Sequence, residues 1–141
     1  MKLLDNGYRL LPVFLAMGAL FYQSHQPGDS FTLPDIDSID KLLHCLVYAV
    51  LGTTFLFALT PRWKRRRPVL AGWAAVLFCL LYGIFDEFHQ ALIPGRFAGL
   101  DDVAADVVGG VLAVAGDWIW RRWRMIVKLR GGPHHEPSRS G

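Results

Sequence analysis

Long apolar segments are the feature that most limits what this chain can fold into. Residues 69–85 contain no charged side chain over 17 positions, and three further apolar segments lie between charged or Pro/Gly-containing connections. A bilayer core of about 30 Å needs about 20 mostly apolar helical residues, with about 17 as the short limit. With 52% hydrophobic and 19% charged residues, the composition excludes a typical soluble, disordered or disulfide-rich secreted domain. The sequence therefore predicts an all-α integral membrane protein.

The apolar segments predict a compact bundle of four transmembrane helices in one domain, residues 1–130. The predicted spans are about 8–23, 42–60, 69–86 and 103–120. Pro61 is expected to end the second helix, and the third is expected to continue as helix through Gln90. Residues 131–141 contain Gly, Pro, Ser and charge without apolar periodicity, which predicts a disordered cytoplasmic tail.

The basic residues predict the orientation of the bundle. Of the 15 Lys and Arg, 13 lie in the N-terminal segment, the second connection and the C-terminal segment, and the exceptions are Lys41 and Arg96. Under the positive-inside rule both termini are cytoplasmic and the connections 24–40 and 88–100 lie outside. No base-stacking module accompanies the basic clusters, so membrane lipids and not nucleic acids are the expected partners. The oligomeric state stays open.

Small residues predict where the helices approach one another. Ala105, Gly109 and Ala113 recur every four residues in the fourth span. Because lipid tails are as apolar as leucine side chains, association in a membrane depends on close packing at such residues. Gly109 is therefore expected to face another helix at close range. On the basic side, Asp117 is expected to pair with Arg121, four residues later.

Polar side chains collect at the outer ends of the second, third and fourth spans. They are Asp40, Lys41 and His44 in the second, Asp86, Glu87, His89 and Gln90 in the third, and Asp101, Asp102 and Asp106 in the fourth, with Arg96 in the connection between the last two. Ionisable groups at this depth are costly and are functional candidates by default. Asp106 lies deepest, about one turn inside its helix, and therefore needs a partner.

Helical spacing places some of these residues on common helix faces, and their functional interpretation is a separate question. Asp40, His44 and Tyr48 share one face of the second helix. The residues interpreted as functional are His44, Glu87, Arg96 and Asp102. The residues interpreted as solvated or loop-capping are Asp86, Asp101 and His89.

The same residues carry a resemblance to VanZ-like membrane proteins. The segment Asp40-Lys41-x-x-His44 resembles the first motif of that family. The later run Glu87-Phe88-His89-Gln90, then Pro94-Gly95-Arg96, then Asp102-x-x-x-Asp106-x-x-Gly109 resembles the second, with Asp106 standing where the family usually has Asn. The resemblance covers residues 40–110 and implies a small multi-pass protein of the bacterial cytoplasmic (inner) membrane. The family is named for a member associated with low-level teicoplanin resistance.

Several functions remain open for this outward-facing polar site. In the first, it binds an anionic envelope lipid, a cell-wall precursor or an amphiphilic glycopeptide-type antibiotic. The binding residues would be Arg96, Gln90, Lys41, Asp40 and Asp106. A weaker alternative is transport, which four short spans with polar groups gathered at one face do not favour.

The alternative function is an intramembrane hydrolase or transferase acting on a lipid-linked envelope substrate. His44 would be the base or nucleophile, Glu87 or Asp102 the orienting or acid group, and Arg96 the stabiliser of developing negative charge. A further interpretation is a divalent-metal site, since mixed His and carboxylate ligation suits zinc or manganese. Its candidate ligands are His44, Glu87, His89 and Asp102. No other cofactor is expected.

Overall fold

A computed structural model of the protein describes residues 7–27, 37–96 and 98–130. Within these ranges a short 3-10 turn, Gly7–Arg9, precedes five helices. They are α1 (Leu11–Ser24), α2 (Asp37–Ala58), α3 (Pro61–Arg66), α4 (Pro68–Gln90) and α5 (Leu100–Arg130). The predicted all-α fold is confirmed. The predicted disordered tail, 131–141, and most of the first connection lie outside the described residues.

In the described part of the chain, three helices are long and apolar enough to cross a membrane, namely Ile39–Ala58 within α2, α4 and α5. At 1.5 Å per residue, the 14 residues of α1 extend only about 21 Å, so this helix is shorter than a bilayer core. Large apolar side chains such as Phe14, Trp73 and Leu81 are exposed on the outside of the bundle. This is where a membrane protein meets lipid, because apolar patches of this extent are uncommon on soluble monomers.

Several helix boundaries differ from those predicted: α2 begins at Asp37 and not at 42, α5 begins at Leu100 and not at 103, and both helices also end elsewhere. The second span ends at Ala58, and Pro61 begins α3 instead of simply ending a helix. Thr60 Oγ1 accepts a hydrogen bond from Trp63 N at 3.3 Å, and proline at the first helical position lacks only an N–H that a helix start cannot use. The helix of the fourth span continues to Arg130, since its extension, which mixes basic and apolar residues, is still helix-forming. As predicted, α4 continues through Gln90.

Contacts between helices fix their relative directions. The Phe55 and Phe78 rings stack at 4.5 Å, and Cys79 Sγ lies 3.7 Å from the Tyr48 carbonyl, so α2 and α4 run antiparallel. Tyr82 Oη donates to the Met17 carbonyl at 2.7 Å, and further along both helices Gln90 of α4 meets Ser24 of α1. Consequently α1 and α4 run in the same direction.

The bundle therefore has two chemically different ends. The C-termini of α1 and α4 meet the N-termini of α2 and α5 at one end, called the polar end. It carries Asp40, His44, Asp86, Gln90, Arg96 and Asp106. The opposite end, called the basic end, carries Arg9, Lys64, Arg65, Arg121 and Arg124.

Glycines allow α5 to lie directly against α2 and α4. A Cβ atom added at Gly109 would clash with the Cys45 carbonyl and would lie 2.8 Å from Ala49 N. Both atoms belong to the α2 backbone and cannot rotate away. The predicted close approach of Gly109 to another helix is therefore confirmed. On the other side, a Cβ at Gly110 would lie 3.0 Å from Cys79 Cβ in α4.

Candidate functional site

His44 and Asp106 join α2 to α5 at the polar end. His44 Nδ1 lies 3.0 Å from Asp106 Oδ1, with exposed side-chain fractions of 12% and 0%. A carboxylate oxygen accepts hydrogen bonds, so Nδ1–H is the donor and a neutral imidazole keeps its lone pair on Nε2. The expectation that Asp106 needs a partner is confirmed, and the partner is His44.

Gly83 of α4 makes the space that Asp106 occupies. A Cβ atom at Gly83 would lie 3.2 Å from Asp106 Cβ and 2.5 Å from Oδ2. Within the described ranges, Asp106 Oδ2 is buried and has no hydrogen-bond partner. The carboxyl group is therefore held by an imidazole on one side and confined by a glycine on the other, so its position depends on three helices.

A cavity of about 200 Å³ adjoins this pair between α1, α2 and α4. Its polar lining residues are Gln23, Ser24, Asp40, His44, Tyr48, Asp86, Gln90 and Arg96. The face predicted for α2, with Asp40, His44 and Tyr48 on one side, thus forms one wall. Of the proposed binding residues, Gln90 is the one that lies on α4, and it also lines the cavity. Its Nε2 lies 3.5 Å from Ser24 Oγ.

Asp86 is buried inside the polar end, in contrast to its sequence-based interpretation. It is only 2% exposed, so its interpretation as a solvated carboxylate is wrong. Asp86 Oδ2 accepts a hydrogen bond from Gln90 Nε2 at 3.0 Å, whereas Oδ1 is buried without a partner in the described chain. The i, i+4 spacing of Asp86 and Gln90 was the available signal, because it puts both side chains on one helix face.

Glu87 points to a different place from Asp86. Its Oε2 accepts a hydrogen bond from Gly99 N at 2.8 Å, and the residue is 6% exposed. It therefore holds the segment that leads into α5 and is not among the residues lining the cavity. The structure does not bring Glu87 onto the same wall as His44.

Arg96 ties the connection after α4 to the end of α1. Its Nη2 donates to the Gln23 carbonyl at 2.9 Å and its Nε to the Gln26 carbonyl at 3.2 Å. Gln23 lies in the last turn of α1, where its carbonyl also accepts from Gln26 N at 3.1 Å, and Gln26 follows the helix. Arg96 lines the cavity as well, so it has both a structural contact and a position facing the site.

Three further candidates lie at the edge of the site. Lys41 Nζ forms an ion pair with Asp101 Oδ2 at 2.9 Å, and both side chains are substantially exposed. The His89 ring packs 4.5 Å from the Phe21 ring. The distance between His89 Nε2 and His25 Nδ1 is 3.3 Å. Asp101 and His89 do not line the cavity, and their interpretation as solvated or loop-capping residues stays a prediction.

A different trio has the spacing of a metal-binding group. One ligand atom each from Asp40, His44 and Asp102 lies within 4.8 Å of the others. Because His44 Nδ1 faces Asp106, Nε2 is the nitrogen left for a metal, and a carboxylate on the other ring nitrogen is the usual arrangement around metal-bound histidine. Among the described residues, Glu87 and His89 do not belong to this group.

Comparisons with known proteins identify the family. The family model described as VanZ/LLP1 matches residues 4–123, a range that contains α1 to α4, most of α5 and every residue of the polar end. Comparisons with curated proteins and with solved structures give no match. The order of the polar motifs, their assembly at one end of an apolar helical bundle and this match lead to one conclusion: the chain belongs to the VanZ/LLP1 family.

Proposed function

We propose that the cavity at the polar end binds the head group of an amphiphilic envelope molecule. A phosphate would face Arg96, and hydroxyl or ammonium donors would face Asp40 and Asp86. One observation carries this proposal: Asp86 Oδ1 and Tyr48 Oη are buried, without partners in the described chain, and both residues line the cavity. Buried polar atoms are nearly always hydrogen-bonded, so a bound head group would supply the missing partners.

The proposal places the polar end on the outer face of the bacterial inner membrane, with four spans and both termini in the cytoplasm. The basic residues at the opposite end support this orientation. Although α1 is short, α1 and the 3-10 turn that precedes it contact both ends of the bundle. Arg9 Nε donates to the Phe57 carbonyl at 2.8 Å, and Ser24 meets Gln90 at the polar end. Thinning of the bilayer around a short span accommodates such a helix at modest cost.

The volume of the cavity limits which of the proposed ligands can fit inside it. Pockets that enclose drug-sized molecules measure roughly 300–1,000 Å³, and this one measures about 200 Å³. It accommodates a lipid head group, with the rest of the ligand outside, but not a whole glycopeptide antibiotic. A lipid or a lipid-linked cell-wall precursor is therefore favoured.

The charges of the cavity-lining side chains further limit the chemical class of the ligand. Two carboxylates, Asp40 and Asp86, and one guanidinium, Arg96, line the wall. Two nitrogens of Arg96 already donate to backbone carbonyls. A head group with negative charge alone would face uncompensated carboxylates, whereas one with both a phosphate and N–H or O–H donors satisfies both kinds of wall residue.

Lipid retention tests the proposal. Native mass spectrometry of the purified chain, offered phosphatidylethanolamine and phosphatidylcholine with identical acyl chains, should detect preferential retention of phosphatidylethanolamine. The quaternary ammonium of phosphatidylcholine has no N–H for Asp86. Asp86→Leu should abolish the preference, and Asp101→Leu is the matched control, since Asp101 does not line the cavity. Equal retention of the two lipids by the parent chain would contradict the proposal.

The alternative, an intramembrane hydrolase or transferase, is favoured by one specific observation. The His44–Asp106 hydrogen bond leaves Nε2 as the basic nitrogen, and an orienting carboxylate is how histidine bases are commonly held. His44 would take a proton from water or an acceptor hydroxyl, while Arg96 stabilises negative charge on the substrate. Release of head group from reconstituted phosphatidylethanolamine, lost in His44→Gln but retained in His89→Gln, would establish this activity. No release above protein-free vesicles would count against it for this lipid.

A further inference from the structure

A second cavity, of about 780 Å³, lies between α2 and α5 and reaches the basic end. Its walls include Ala49, Thr53 and Leu56 from α2, and Leu112, Ala113 and Gly116 from α5. Two of the lining residues, Phe57 and Leu112, are 43% and 51% exposed. The cavity is therefore a groove open to the surroundings of the bundle. A Cβ atom at Gly116 would meet no atom of the described residues within 4 Å, because the groove continues there.

Positive charge collects where this groove ends. The basic lining residues are Arg9, Lys64, Arg65, Arg121 and Arg124, and Asp117 is the one carboxylate among the lining residues. Asp117 is paired with Arg121 at 2.8 Å, as predicted, and with Lys64 at 3.4 Å. One carboxylate does not balance five cations, so the end of the groove has an excess of positive charge.

We infer that this groove binds one anionic glycerophospholipid from the leaflet at the basic end. Its acyl chain would lie between α2 and α5, and its phosphate among the basic residues. Arginine and lysine form charge-assisted hydrogen bonds to phosphate, and basic groups near a membrane surface attract anionic lipids. From Ala49 to the end of α2 at Ala58 the groove follows roughly 14 Å of helix, which is enough for a large part of an acyl chain.

Two local features agree with an anionic occupant. Trp120 lines the groove near its charged end, and tryptophan is enriched at the depth of lipid head groups. Burial lowers the pKa of Lys64, an effect that the charge of Asp117 opposes. A phosphate at the same place would further stabilise the protonated amine.

Competition between lipids tests the inference. The full chain is offered phosphatidylglycerol and phosphatidylethanolamine with identical acyl chains, and native mass spectrometry counts each bound lipid. Gly116→Leu fills the groove without a clash at Cβ, and the double variant Arg65→Gln, Arg124→Gln removes charge from its end. Each should lower phosphatidylglycerol retention several-fold and leave phosphatidylethanolamine retention at the polar end unchanged. Arg122→Gln is the matched control because Arg122 stacks on Trp118 and does not line the groove.

Three outcomes would overturn the inference. One is equal phosphatidylglycerol retention in Gly116→Leu and in the parent chain. Another is a lower retention of phosphatidylethanolamine in the arginine double variant than in the parent chain, which would mean that this lipid also binds in the groove. The third is a dimer that excludes phosphatidylglycerol and is disrupted by Gly116→Leu. That result would identify a second copy of the chain as the occupant of the groove. The arginine variant keeps the test valid even if Gly116→Leu does not fold.

Discussion

His44 Nδ1 and Asp106 Oδ1, which are 62 positions apart in sequence, lie 3.0 Å apart inside the bundle and connect α2 to α5. The carboxyl group is fully buried, with its second oxygen confined beside Gly83. A buried acceptor that loses its partner costs about 1–3 kcal/mol. The pair is therefore expected to contribute measurably to stability, whatever ligand the adjoining cavity receives.

A double-mutant cycle on this pair is the first prediction. His44→Ala should lower the free energy of unfolding in mixed detergent micelles by about 1–3 kcal/mol. Asp106→Asn should cost less, since the amide oxygen still accepts from Nδ1. The cycle of His44→Ala with Asp106→Leu should give a coupling of about 0.5–3 kcal/mol. The exposed Lys41–Asp101 pair is the control and should behave additively; equal coupling in both pairs would contradict the assignment.

Two glycines on α5 provide the second prediction. Gly109→Ala places a methyl group against the α2 backbone, and such overpacking typically costs about 1–3 kcal/mol of unfolding free energy. Gly116→Ala adds the same group where no described atom lies within 4 Å, and the higher helix propensity of alanine should leave stability unchanged or raised. Similar effects of the two substitutions would mean that α5 is rotated relative to α2.

The contrast between these glycines shows what could be predicted from sequence. A repeat of small residues every four positions indicates a packing face, and Gly109 lies on it. The face shared by Asp40, His44 and Tyr48 likewise follows from helix geometry alone. Length and hydropathy are similarly local properties, which is why the spans of α2 and α4 could be recognised.

The remaining site geometry depends on contacts between distant elements. Asp86 is 2% exposed and faces the cavity shared with α1 and α2, an arrangement that its own neighbours in sequence do not encode. Arg96 binds the backbone carbonyls of Gln23 and Gln26, and a carbonyl acceptor leaves no signature in residue type. Glu87 was expected beside His44 but bonds to Gly99 N, since one position along a helix turns a side chain by about 100°.

Membrane orientation is the third prediction. In a Cys45→Ala, Cys79→Ala background, a membrane-impermeant maleimide added to intact cells should label Ala98→Cys at the polar end. It should label Arg62→Cys only after permeabilisation, because basic connections stay in the cytoplasm. Both positions are exposed in the structure, so lack of labelling reports the membrane side and not burial. The reverse pattern would place the polar cavity in the cytoplasm.

Chelation distinguishes direct head-group binding from binding through a metal, and is the fourth prediction. Phosphatidylethanolamine retention should be the same before and after EDTA treatment, because Asp86, Tyr48 and Arg96 provide the proposed contacts. Loss on chelation, with recovery on adding Zn²⁺ or Mn²⁺, would instead assign the site to a metal held by Asp40, His44 and Asp102.

The most direct measurement is an experimental structure of the full chain in a bilayer that contains phosphatidylethanolamine. We expect density continuous with the lipid layer that enters the cavity between α1, α2 and α4. Its donor group should lie within hydrogen-bond distance of Asp86 Oδ1, and its phosphate should lie beside Arg96. Ordered water alone in the cavity, with Asp86 Oδ1 and Tyr48 Oη both satisfied by that water, would contradict the proposed head-group site.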